Sequence, residues 1–171
     1  MDETSQSENL LRVSIWKNLQ LVSTASYIGV REGRRIKGLY EVTVNDLINR
    51  VEHEDGVCRP NFCVDVHSLT GKGAAIEAPP VKVKGYDIPL RALISADIAN
   101  MMMCGRCISG DFYAHASYRV TGNAAVLGEA AGTCAALAAL GNILPQEVPL
   151  DNFFAHFTAP VKENLSACVN V

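Results

Sequence analysis

Several groups of side chains in this sequence have types and spacings that could do chemistry. Cys104-x-x-Cys107 sits in the run MMMCGRCISG, Met101 to Gly110. A redox dithiol of the thioredoxin kind stands at a helix N-terminus, where the dipole lowers the thiol pKa. Here Ile108 to Asp111 starts no helical period, which speaks against that role. Zinc would need a second pair, and Cys58-x4-Cys63 offers one. The two pairs stand far wider apart than the roughly 15–20 residues of a zinc ribbon. Cys58 and Cys63 also fall in a strand-like stretch that would point their sulfurs to opposite faces. Buried thiols without a chemical role are the ordinary outcome for such cysteines.

His115, Arg119 and Asn123 recur at intervals of four. Thr121 or Asn123 could cap a following helix. The free N–H groups of that helix start, beside a cationic Arg, would hold an anion or a ring that becomes anionic. The same residues also suit a capped core helix with an exposed Arg and a hydrogen-bonded His. The basic group Arg31, Arg34, Arg35 and Lys37 could hold a carboxylate or a phosphate. It could equally be a solvated loop paired with the nearby Glu32 and Glu41. Gly71-Lys72-Gly73 lacks the earlier Gly and the following Ser or Thr of a phosphate loop.

The elements that must position these groups follow from pattern. The chain has 171 residues, 49% hydrophobic and 19% charged, enough for a domain with a real core. A net charge of -3 gives no electrostatic reason to expect nucleic acid or an acidic membrane. Met1 to Asn9 is polar and acidic and reads as a frayed tail, not a signal peptide. The six cysteines are then expected as reduced thiols in a cytoplasm. Leu10 to Val22 mixes helix and strand spacing and stays ambiguous.

Leu39 to Val42 reads as a short strand, and Thr43 with Asp46 as a capping box for a helix from Val44 to about Val51. Cys58 to Val66 reads as a strand and Ser68 to Pro80 as a loop. Val81 to Val83 and Tyr86 to Ile88 bracket Lys84-Gly85 as a hairpin. Ser95 to Asp97 reads as a turn. Met101 to Cys104 reads as a buried strand entering a glycine turn, followed by a helix from about Asn123 to Leu140 that Gly141 ends. Gly128 and Gly132 give that helix a G-x-x-x-G, but alanines and Glu129 favour a buried, closely packed helix over a membrane span. Pro145, Pro149 and Pro160 make the tail loop-rich. The pattern is mixed α+β before residue 100 and strand, turn and small-residue helix after it.

Three runs in order resemble one family. They are Ile28 to Thr43 (IGVREGRRIKGLYEVT), Tyr86 to Ile94, and Gly105 to Ser109 continued by Ala114 to Val120 and Leu127 to Ala136. The likeness, over about Tyr27 to Leu140, is to the C-terminal part of bacterial FAD-dependent oxidoreductases, distantly similar to succinate dehydrogenase and fumarate reductase flavoproteins. The resemblance implies an α/β fold: the C-terminal strand–turn–helix of an FAD-binding Rossmann-like domain plus part of a mixed α+β substrate domain. It divides the chain into a tail (1–9), part of the substrate domain (10–99), an FAD-binding segment (100–145) and a loop-rich tail of unassigned role (146–171).

The resemblance implies FAD as cofactor and hydride transfer between it and a small-molecule substrate. Gly105, Arg106, Cys107, Ile108, Ser109, Thr121, Gly122, Asn123 and Gly128 would hold the flavin. His115 and Arg119 would be catalytic, and Arg31, Arg35 and Arg91 would bind substrate. The Cys-x-x-Cys becomes incidental, and no metal is expected. No G-x-G-x-x-G follows a strand, so an N-terminal half carrying it is the expected partner, with no role for nucleic acid or membrane. A cysteine-based zinc or dithiol module, or a non-catalytic interaction remnant, are the alternatives.

Overall fold

The computed structural model describes residues 20, 22–66 and 83–158. The chain divides into two units, Met1–Val30 and Arg31–Val171. The described part of the first has neither helix nor strand. Among the described residues the regular elements lie in the second: α1 (Val44–Asn49), β1 (Gly56–Cys58), β2 (Ile88–Pro89), α2 (Phe112–Tyr118), α3 (Thr121–Gly141) and α4 (Leu150–His156). Single 3-10 turns cover Leu90–Ala92, Gly105–Cys107 and Pro145–Glu147. This is a mixed helical fold with a small sheet, consistent with the α/β expectation.

β1 and β2 pair antiparallel, Gly56 opposite Pro89 and Cys58 opposite Ile88, with an irregularity between. The short ladder is continued by isolated bridges. Gly38 meets Ser95, Val42 runs parallel to Gly110, and Ile94 meets Met102. Gly38 is required by close approach: a Cβ there would stand 2.7 Å from the Ser109 Cβ and 3.0 Å from the Ala92 carbonyl oxygen. One core joins residues from both halves of the sequence, including Val42, Leu47, Ile88, Ile108, Leu127 and Phe153.

α1 forms where the capping pair places it. The Asp46 carboxylate accepts from the Thr43 N–H at 2.7 Å and hydroxyl at 3.1 Å. Arg50, at φ 55°, then takes the left-handed position and ends the helix two residues short of Val51. α3 covers the whole predicted helix, but Asn142 closes it at φ 50° in place of Gly141. Its buried positions, Asn123, Leu127, Ala130, Cys134 and Ala138, share one face. Length and composition alone would let α3 cross a membrane, but that face packs into the core of the second unit.

Other expectations are corrected. The strand at Cys58 to Val66 stops at Cys58, because Pro60 cannot donate to a ladder. Leu39 to Val42 forms no strand, and isolated bridges at Gly38 and Val42 tie it instead. Met101 to Cys104 is no buried strand: only Met102 is bridged, and Cys104 is exposed. The hairpin partner at Val81 and Lys82 lies outside the described residues, and β2 pairs with β1 instead. Ile108 to Asp111 does lead into a helix, since Asp111 accepts from the Ala114 N–H at 2.7 Å and caps α2. The loop-rich tail contains α4, begun by Pro149. The readings of 1–9, Ser68 to Pro80 and the chain after Thr158 fall outside the described residues.

Candidate functional site

The α2–α3 corner gathers the chemistry. Asp111 caps α2, which places His115 one turn in and Arg119 at the helix end. Val120 follows in extended backbone, φ -77° and ψ 153°, and α3 begins with Thr121. Val120 therefore occupies the cap position, where Thr121 or Asn123 was expected. A valine side chain can accept nothing. Asn123 turns back instead, donating to the Tyr118 carbonyl at 3.3 Å, and its carbonyl oxygen receives the Cys58 thiol at 3.8 Å. The N–H groups of Thr121, Gly122 and Asn123 are left without a side-chain cap at the positive end of a 21-residue helix.

A cavity of about 410 Å³ opens at that helix start. Arg31, Arg106, Arg119 and Thr121 line it with Phe62 and Asp65. Arg119 is only 5% exposed at its side chain and is firmly held. Its guanidinium donates to the Asp65 carbonyl at 2.6 Å, lies 3.7 Å from the Asp65 carboxylate and pairs with Glu32. The expected pairing of Glu32 within its own basic loop is thus replaced by a partner far along the chain. Arg31 and Arg106 have no ion-pair partner among the described residues.

The Gly105–Cys107 turn packs on the first turn of α3. Gly105 has φ 66°, a conformation that glycine adopts without strain, and a Cβ there would lie 3.6 Å from the Ala124 Cβ. Of the expected flavin-binding run, Gly105 and Arg106 reach this place. The Cys107 carbonyl accepts from the Ile36 N–H at 3.0 Å, Ile108 is in the core, and Ser109 lines a separate cavity. Gly122 and Gly128 lie open on α3, with nothing within 4 Å of an added Cβ. Of the expected substrate arginines, only Arg31 lines the α3 cavity. Arg35 lines the cavity shared with Ser109. Arg91 is clamped by Asp55 at 2.9 and 3.1 Å and sits near the Tyr40 ring, beside a third cavity.

His115 is 1% exposed, with Nε2 unpartnered. Burial first, then Arg35 and Arg119, lower its pKa, while Glu32 and a backbone bond at Arg106 oppose them. The ring is neutral at neutral pH. The cysteines separate: Cys58 and Cys134 are buried and Cys63 and Cys104 exposed. Burial pushes the Cys58 thiol up to about 12. Among the described residues no three His, Cys, Asp or Glu side chains converge as metal ligands.

Sequence reasoning missed Phe62, Asp65 and Glu32 as parts of this corner. Only Glu32 carried a signal, an acid placed between Arg31 and Arg34.

An uncapped long helix, a glycine turn against its first turn and arginines around the opening have the chemistry that suits an electron-rich or anionic group. The family model for FAD dependent oxidoreductases matches residues 6–157. The chain belongs to that family, and FAD is its cofactor. No curated protein and no solved structure matches it.

Proposed function

We propose that the chain forms the C-terminal side of a flavin site and takes part in hydride transfer between FAD and a small-molecule substrate. The observation that supports this most is the cavity at the uncapped start of α3, ringed by Arg31, Arg106 and Arg119. FAD supplies the two-electron chemistry when bound, and the protein orients it. The N–H groups of Thr121, Gly122 and Asn123 would face the electron-rich edge of the ring. Glycine at 105 lets the backbone approach. Cys107, Ile108 and Ser109 act from behind, holding the turn to the core.

Arg119 would meet the reacting molecules through the charge it now shares with Glu32 and Asp65. His115, buried one helical turn before it and neutral, would keep the corner's charge to Arg119 and its acids. Arg31 is the substrate arginine the geometry favours. Arg35 and Arg91 stand away from this opening.

The uncovered side of α3 would pack on a Rossmann-like unit carrying the G-x-G-x-x-G turn, in the same gene product or a separate chain. Leu140, 86% exposed, and the open Gly128 and Gly132 support that partner. A cytoplasmic setting accords with the free thiols.

Titration of FAD with the full chain, followed by flavin fluorescence anisotropy, tests the placement. Arg106→Gln should weaken binding by about threefold to tenfold, the worth of one charge-assisted contact at a partly exposed site. Equal FAD affinity in Arg106→Gln and Arg31→Gln variants would move the flavin elsewhere.

A further inference from the structure

A second cavity lies between the Gly33–Gly38 segment and the Ser109–Gly110 corner, with a volume of about 570 Å³. Arg34, Arg35, Lys37 and Ser109 line it, with Glu41 at its exposed rim. It does not depend on the flavin reading, and shares no lining residue with the α3 cavity.

The arginines of this fold supply the comparison. Arg59 is half-buried and pairs with Glu52 at 2.6 Å and Asp87 at 3.0 Å. Arg119, its side chain only 5% exposed, pairs with Glu32 and Asp65. Arg35 is half-buried like Arg59, yet among the described residues it has no carboxylate. A guanidinium withdrawn from water without a counter-charge loses hydration that nothing in the protein replaces. Arg34, beside it in sequence, is also without an ion pair among the described residues. Lys37 is already engaged by Asp97 at 3.6 Å, at the surface. Ser109 is 3% exposed and lines the same cavity. Two guanidinium forks without an ion pair among the described residues and one buried hydroxyl therefore line one space, and every one of them can donate. Glu41 is exposed, so water and salt screen its opposition.

We propose that this cavity is an oxyanion site, taking the phosphate or carboxylate end of a small molecule through Arg34 and Arg35, with Ser109 donating from the floor. Planar forks suit both groups because each presents two or more oxygens at the right spacing.

The site reaches the α2–α3 corner through charge. The His115 ring feels the charges of Arg35, Arg119 and Glu32 and a backbone bond at Arg106, with Tyr118 edge-on at 5.5 Å. Arg35 is among the cations that hold His115 below its ordinary pKa. An anion on Arg35 offsets that cation and raises the His115 pKa. By reciprocity the anion binds more tightly when His115 is protonated.

The test is calorimetric titration of the full chain with inorganic phosphate and, separately, malonate, at constant ionic strength. His115 is followed by NMR through the same titrations. One saturable site is expected, with the His115 pKa rising as it fills. Arg35→Gln and Arg34→Gln should each weaken binding about tenfold. Arg34 is exposed, so its replacement leaves the fold alone. In Arg35→Gln the His115 pKa should start higher and no longer move with phosphate, whereas Arg106→Gln should leave anion binding intact. Tighter phosphate identifies a phosphorylated ligand, and tighter malonate a carboxylate one. Absence of saturable binding by either anion overturns the site. So does binding that survives both Arg34→Gln and Arg35→Gln, or that disappears with Arg106→Gln.

Discussion

His115 is where burial and charge meet in one side chain. Its pKa is lowered in the folded state, so the unfolded chain binds the proton more readily. Its contribution to stability is therefore complete above the unfolded value, about 6.5. It is lost as pH falls from there through the lowered folded value. Urea midpoints measured from pH 7.5 down to 5 should decline, and His115→Gln should flatten the decline. A midpoint equally pH-dependent in the variant would place the titration on other groups. His115, Arg119 and Asn123, spaced by four, lie at one corner, but their surroundings differ there. Asn123 serves the core, holding the Tyr118 carbonyl, while Arg119 is claimed by Glu32 and Asp65. Spacing states which residues are near along a helix; it carries nothing about acids that arrive from Asp65 or Glu32.

Among the elements, α1 and α2 share a single carboxylate. One Asp111 oxygen accepts from the Ala114 N–H at 2.7 Å, and the other from the Val44 N–H at 2.7 Å, at the start of α1. Asp111→Ala thus uncaps α2 and removes an acceptor from the first turn of α1. At about 1 kcal/mol for each lost contact, the loss should come to about 2 kcal/mol. Chemical denaturation measures it, and a loss below half that value would mean that water replaces the carboxylate at one helix. α1 was legible because its cap, Thr43, and Asp46 are three residues apart. α2 was not, since Phe112 to Tyr118 offers barely two turns and no apolar period. Its cap was present in the sequence, but a lone Asp signals turns as readily as helices. β1 and β2 were obscured for another reason: strands of three and two residues are too short to show alternation, and they pair across more than thirty residues.

At the scale of the molecule, α3 is the element whose surroundings matter most. One face is buried in the core, and the rest presents glycine, alanine and Leu140 to solvent. Gly132 has nothing within 4 Å of an added Cβ. Gly132→Leu should therefore leave the chain as stable or raise its stability by up to about 1 kcal/mol, the helix-propensity difference. If a Rossmann-like unit packs there, the same change should abolish tight FAD retention by the joined protein. FAD retained at full affinity in that variant would show that the face is not used. The two readouts separate folding from assembly.

What the sequence determined by itself was local. The helix of α3, the capping pair of α1 and the likeness to FAD-dependent oxidoreductases all reside in neighbouring residues, because propensity, capping and motif order act over a few positions. Tertiary structure alone decided which charges meet. It separated Arg31 from Arg35 and Arg91, three arginines the sequence treats alike, and set them on three different cavities. It gave Arg91 to Asp55 and Arg119 to Glu32, and left Arg35 without an ion pair among the described residues. The physical reason is that a charge acts through space. Its partner is whichever group the fold brings within a few ångströms, and sequence distance does not limit that choice.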